Sequence, residues 1–223
     1  MSFTPPSEPL HAVVFDLDGL IVNTEDLFET CGNELLAIHG HAMTNELREQ
    51  MIGRPALEAL QRMIDHFQLT DTPQQLAAES ETIMQRLMTT DLRLMPGLKS
   101  LLEKLDASSI RKSVATSSGP VYAAEILNRF EIARHFEFVL TCEDVTFGKP
   151  APEIYETAAS RLGIAAEHMM VLEDSANGCR AAVAAGAYSV AVPNDHTRNH
   201  RFDGVQLMAD SLADKRIVRA LQL

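Results

Sequence analysis

Two aspartates stand two residues apart at the end of a short apolar run, in Ala12, Val13, Val14, Phe15, Asp16, Leu17, Asp18, Gly19. Carboxylates so placed can attack as nucleophiles, carry protons or hold a hard cation. Further along come the hydroxyls of Thr116 and Ser117, the ammonium of Lys149, and a second acidic pair, Glu173 and Asp174. Hydroxyls and an ammonium are ligands for phosphate oxygens, so the set offers carboxylate chemistry and anion binding together. Taken one at a time, each has a plain explanation. An aspartate after a strand begins a turn or caps a helix, Thr116 to Pro120 reads as a polar loop entering a helix, and a lysine is by default a solvated charge. Gly148 and Lys149 do not form a nucleotide loop, because Pro150 stands where a Ser or Thr is needed and no upstream glycine fits. Single explanations do not account for the order, in which each group follows an expected strand.

Those strands are read from pattern. Ala12 to Phe15, Ser113 to Ala115, Phe138 to Leu140, Met169 to Leu172 and Tyr188 to Val192 are short apolar or β-branched runs. Between them, Leu98 to Leu105, Val121 to Phe130, Glu153 to Leu162 and Cys179 to Ala185 read as helices, the last stopped by Gly186. Alternation of this kind implies an α/β fold with a parallel sheet and helices on both faces, where ligands collect beyond the carboxyl ends of the strands. Thr24 to Leu92 differs, being rich in Leu, Met, Ala, Glu and Gln with apolar residues at helical spacing, as in Leu57, Leu60, Met63, Ile64 and Phe67. It is expected to be an all-helical insert. Gly40 and Gly53 punctuate its earlier helices, and Thr72 with Pro73 starts a later one. The expected division is therefore a core of residues 1–22 and 93–223 and a helical cap of residues 23–92.

Composition narrows the partners. With 31 acidic and 19 basic residues among 223, the net charge is −12, which repels nucleic acid and anionic membrane surfaces. The same field repels a phosphorylated substrate, so any anion site must gather its own cations. Cys31, Cys142 and Cys179 are odd in number and widely spaced, against a disulfide framework or zinc site. The first ten residues have neither a basic start nor an apolar run, and no segment approaches the ~20 residues of a membrane span. A cytoplasmic protein, monomeric or weakly dimeric, is expected. The basic cluster of His196, Arg198, His200 and Arg201 reads as a solvated loop.

The segment Asp16, Leu17, Asp18, Gly19, Leu20, Ile21, Val22, Asn23, Thr24, Glu25 resembles the first motif of the haloacid dehalogenase superfamily. Ala115 to Ser118 resembles its second motif, Gly148 to Glu153 its third, and Leu172 to Gly178 its fourth. The insert is similar to the α-helical cap of the phosphatase and phosphoglucomutase-like branch, and the stretch from Gly53 to Leu69 resembles the cap of pseudouridine 5'-phosphatases. Asn23 departs from the pattern, since many relatives carry an acid there. The resemblance implies a Rossmann-like core, a small phosphorylated metabolite as substrate and Mg²⁺ as cofactor. It makes Asp16 the nucleophile, Asp18 the acid and base, and Thr116, Ser117 and Lys149 the phosphate ligands. Asp16, the backbone carbonyl of Asp18, and Asp174 would hold the metal, with Glu173 supporting them. Glu25, Phe28 and Arg54 are the expected specificity residues.

Elementary electrostatics makes the same demand. A carboxylate approaching a phosphate meets a repulsion of about 4 kcal/mol per charge pair at about 4 Å and an effective dielectric of about 20. A dication and Lys149 could cancel it locally. Among the chemistries of the superfamily, dehalogenases lack the second aspartate and the metal. Phosphonate hydrolases of the Schiff-base type need a cap lysine, and this chain has no lysine before Lys99. A β-phosphoglucomutase is the nearest alternative, but Phe28 stands at its histidine position and Ala56 near its arginine. Hydrolysis is therefore expected ahead of transfer, with a non-catalytic binding protein as the third reading.

Overall fold

The computed structural model describes residues 3–51 and 54–223. Gly53, read above as helix punctuation, lies outside the described residues. The chain divides into two compact units, Thr24–Arg93 and the pair of segments Met1–Asn23 and Leu94–Leu223.

Thr24–Arg93 is helical, with α1 (Thr24–Ile38), α2 (Asn45–Met51), α3 (Ala56–Phe67) and α4 (Pro73–Thr90). The start of α4 is as the sequence suggests. The Thr72 hydroxyl accepts from Gln75 N, the Gln75 side chain accepts from Thr72 N, and Pro73 opens the helix. In α3 the apolar stripe is narrower than expected. Leu60, Met63 and Ile64 are buried, whereas Leu57, in the first turn, stays 48% exposed and Phe67 stacks on His41 at 4.2 Å.

The other unit holds β1 (Ala12–Phe15), α5 (Leu98–Asp106), β2 (Arg111–Ala115), α6 (Pro120–Arg129), β3 (Val139–Leu140), α7 (Glu153–Leu162), β4 (Met169–Glu173), α8 (Ala176–Ala184), β5 (Tyr188–Ala191), β6 (Leu207–Met208) and α9 (Lys215–Ala220). The strands form one parallel sheet in the order β3-β2-β1-β4-β5-β6. This is the α/β, Rossmann-like architecture that the alternating pattern implies. Strands β1, β4 and β5 are buried along their whole length, which is why their sequences are continuous apolar runs rather than alternating ones. Val14, Ala115, Leu140, Tyr155, Leu162 and Val171 belong to one buried cluster between sheet and helices. From β1 the chain winds outward through β2 and β3, then returns to the other side of β1 as β4. The direction of winding reverses between β1 and β4, and at such a point the carboxyl edge of a sheet leaves room for a ligand.

Several boundaries differ from the sequence reading, by one residue at β3, β4, β5, α5 and α6 and by more at the starts of β2 and α8. Strand β2 begins at Arg111 rather than Ser113, because the backbones of Arg111 and Lys112 pair with Ala12 and Val13 while their charged ends reach Glu137 and Asp106. Strand β5 ends at Ala191, one residue early. Helix α8 begins at Ala176 rather than Cys179, capped by the Ser175 hydroxyl, which accepts from Gly178 N at 3.1 Å. Strand β6 and helix α9 follow the last strand read from the sequence. Among the described residues no helix is long and apolar enough to cross a membrane.

Gly178 shows how tightly α8 rests on the end of β4. A Cβ there would lie 1.7 Å from Glu173 Oε1, and Glu173 is fully buried. Gly178→Ala is therefore expected to lower stability by about 2–4 kcal/mol in urea unfolding. Without the clash, alanine in a helix would raise stability by about 1 kcal/mol, so the sign of the change decides the matter.

Candidate active site

Parallel pairing of β2, β1 and β4 carries three strand ends to one edge. Asp16 directly follows β1, Thr116 follows β2, and Glu173 closes β4 with Asp174 behind it. The backbone N–H of Asp16 still pairs with Leu172 O at 3.0 Å and that of Thr116 with Leu140 O at 2.9 Å, so both side chains leave from backbone held by the sheet.

Lys149 enters this edge from the loop before α7 and is buried there. Its Nζ donates to Asp16 Oδ1 at 2.5 Å, to Glu173 Oε1 at 2.7 Å and to the Ala115 carbonyl at 3.0 Å, which occupies all three protons of an ammonium. The ring of Tyr155 lies 5.1 Å from the same nitrogen. Glu173 has its own partners. Oε1 also accepts from the Tyr155 hydroxyl at 2.8 Å, while Oε2 accepts from Ser175 N at 3.2 Å and Ser175 Oγ at 3.0 Å. Those bonds make Glu173 an anchor that sets Lys149 from behind.

The balance of charge is uneven. Burial pushes the Asp16 carboxyl up to about 8; Lys149 works against the rise, while Glu173 and Asp18 add to it. Burial also pulls on the Lys149 ammonium, but Asp16 and Glu173 outweigh it and hold that group well above its ordinary value. Carboxylate oxygens of Asp16, Glu173 and Asp174 lie within 4.8 Å of one another. Hard oxygen donors with unbalanced negative charge suit a hard divalent cation.

Asp18 is in different surroundings. It is half-buried, and its Oδ2 accepts from Ser118 Oγ at 2.6 Å and, at the longer distance of 3.4 Å, from Thr116 Oγ1; its Oδ1 accepts from the Tyr122 hydroxyl at 3.0 Å. Thr116 Oγ1 also accepts from Ser118 N at 3.0 Å, which folds the loop back on itself. Ser117, expected beside Thr116 as a phosphate ligand, is exposed in that loop, and it is Ser118 that reaches Asp18.

Asp174 is held by Asn194, which the sequence reading passed over. Asn194 Oδ1 accepts from His196 N and from Thr197 N and Oγ1. That arrangement turns its Nδ2 toward Asp174 Oδ2 at 2.8 Å and Gly19 O at 3.2 Å. The basic loop is thus what shapes Asn194. A polar residue just past β5 was the available signal, since the other groups were found by the same rule. Tyr122, Tyr155 and Ser175 were missed because a tyrosine or serine in a helix or its cap carries no mark of its partner.

The expected specificity residues lie in Thr24–Arg93. Glu25 and Phe28 sit near the start of α1, with Phe28 54% exposed. Exposed Arg54 donates to Gln50 O at 2.6 Å and lies 3.9 Å from Glu58. Phe28 is therefore no part of that unit's core.

Residues 13–192 match the family model of haloacid dehalogenase-like hydrolases. A phosphorylated carbohydrates phosphatase of Thermotoga maritima is 29% identical over 177 residues, covering 79% of this chain and 82% of that protein. The probable pseudouridine-5'-phosphatase of Drosophila melanogaster is 31% identical over 207 residues, covering 90% and 89%. The crystal structure of CbbY from Rhodobacter sphaeroides in complex with phosphate superimposes with a TM-score of 0.75 at 28% identity, covering 96% of this chain and all of that one. Matched over residues 13–192 in sequence and over 96% of its length in structure, the chain belongs to the haloacid dehalogenase-like hydrolase family.

Proposed function

We propose that the protein is a Mg²⁺-dependent phosphatase that hydrolyses a small phosphate monoester, a sugar phosphate or nucleoside monophosphate, through a phosphoryl group carried on Asp16. The observation that carries this reading is the buried Asp16 carboxylate, hydrogen-bonded to Lys149 and with oxygens of Glu173 and Asp174 within 4.8 Å. Similarity to proteins named as phosphatases supports the reaction class.

Asp16 and Asp174, with the backbone carbonyl of Asp18, would hold the metal, and Glu173 would brace them through Lys149 and Ser175. Bound there, Mg²⁺ supplies Lewis-acid neutralisation of the phosphate charge. In the first half-reaction an oxygen of Asp16 attacks phosphorus, the ester P–O bond breaks, and Asp18 gives its proton to the leaving oxygen. In the second, Asp18 takes a proton from water, the resulting hydroxide attacks phosphorus, and the bond to Asp16 breaks to release inorganic phosphate. Hydroxyls hold Asp18, and a hydroxyl donates or accepts by turning its one proton, which suits a group that must first give and then take. Lys149 keeps the Asp16 oxygen in place, and exchanging one of its bonds for a phosphate oxygen would carry its charge onto the substrate. Thr116 and Ser117, on the β2 loop, would bind the remaining phosphate oxygens. Substrate choice is assigned to Glu25, Phe28 and Arg54.

A phosphate-release screen over sugar phosphates and nucleoside monophosphates with Mg²⁺, run beside a glucose 1-phosphate isomerisation assay, tests the reading. Release from at least one ester is expected. Isomerisation without release would establish the mutase alternative, and neither reaction in a folded, metal-loaded protein would favour a binding role. Asp16→Asn should lower kcat by at least about 10⁴-fold with the fold intact, judged by circular dichroism; near-normal turnover refutes the nucleophile. Chelation by EDTA should abolish phosphate release and added Mg²⁺ restore it. Turnover that survives exhaustive chelation contradicts the metal dependence.

A further inference from the structure

An acid that must meet a leaving oxygen needs its carboxyl plane fixed as well as its position. Hydrogen bonds to the half-buried Asp18 side chain help to fix that plane. Ser118 and Thr116 both reach Oδ2. Tyr122 reaches the other oxygen, Oδ1, at 3.0 Å, so that donors on both oxygens set the plane of the group.

The tyrosine is itself well founded. It lies in the first turn of α6, whose Ala123, Ile126 and Leu127 are buried and whose opening residue, Pro120, has its φ fixed by its ring. The N–H of Ala123 pairs with Gly119 O at 3.0 Å, closing that turn. A rigid ring on an anchored helix delivers a hydroxyl with small loss of freedom, since two torsions place it. Ser118, in contrast, belongs to the loop that joins β2 to α6.

Resting on the phosphatase reading above, we infer that Tyr122 is a positioning residue for the reaction, its hydroxyl setting the orientation in which Asp18 protonates the leaving oxygen of the ester. On this inference Tyr122 acts through Asp18. The alternative is a tyrosine that packs α6 and finds a convenient acceptor.

Leaving-group dependence separates the two. An alkyl phosphate needs its departing oxygen protonated, whereas p-nitrophenyl phosphate releases a stabilised phenolate that does not. The quantity to compare is kcat/KM, which covers the steps through transfer to Asp16 and not the later hydrolysis. Tyr122→Phe, which keeps the ring, should lower kcat/KM at least about 10-fold for the alkyl phosphate that the wild-type protein hydrolyses fastest, and less than about 2-fold for p-nitrophenyl phosphate. Equal losses on both esters, or no loss on either, overturn the inference. Tyr122→Met removes the hydroxyl with a different shape and reads the same ratio if the phenylalanine variant does not fold. Failure of the phosphatase reading shows separately, as turnover retained by Asp16→Asn or an absence of phosphate release from the wild type.

Discussion

A lysine ammonium buried at the carboxyl edge of a parallel sheet sets conditions that the rest of the site meets. Taking such an ion out of water costs several kcal/mol, recovered only when every proton finds a well-placed acceptor. The acceptors of Lys149 come from three adjacent strand ends: the Ala115 carbonyl at the end of β2, Asp16 after β1, and Glu173 closing β4. Only neighbouring strands running in the same direction bring those ends within one ammonium's reach. Strand order and lysine position therefore depend on each other, and Glu173, with Tyr155 and Ser175 at its remaining lone pairs, is the joint between them.

Two aspartates two residues apart meet opposite surroundings. Burial raises the Asp16 carboxyl to about 8, with Glu173 and Asp18 adding to the rise and Lys149 working against it. Asp18 is half-exposed among hydroxyls. Under the proposed reading one of these groups forms a bond and the other moves a proton, and the two are held by different partners. Under the same reading a protein of net charge −12 would offer a site for an anion because Lys149 and a bound cation would locally outweigh a long-range field that solvent screens.

Much of this was legible because the relevant signals are local. Continuous apolar runs mark β1, β4 and β5, since parallel strands are covered on both faces. Asp16, Lys149, Glu173 and Asp174 stand at or beyond strand ends, where a parallel sheet collects ligands. The start of β2 was hidden because Arg111 and Lys112 pair through backbone while their charged ends leave for Glu137 and Asp106. The start of α8 was hidden by Gly178, which reads as a helix breaker yet is needed beneath Glu173. Leu57 shows the converse, a residue on the periodic stripe that the helix leaves in water.

The sequence by itself determined the family, the alternation of strands and helices, and the types of group found at each strand end, because periodicity and short motifs are properties of neighbouring residues. Tertiary structure alone decided the partners: Lys149 with Asp16, Tyr155 with Glu173, Asn194 with Asp174, and Tyr122 with Asp18. A hydrogen bond depends on distances of a few tenths of an ångström, here between residues up to 133 positions apart. Those distances exist only after the strands have paired in register and the helices have packed against them.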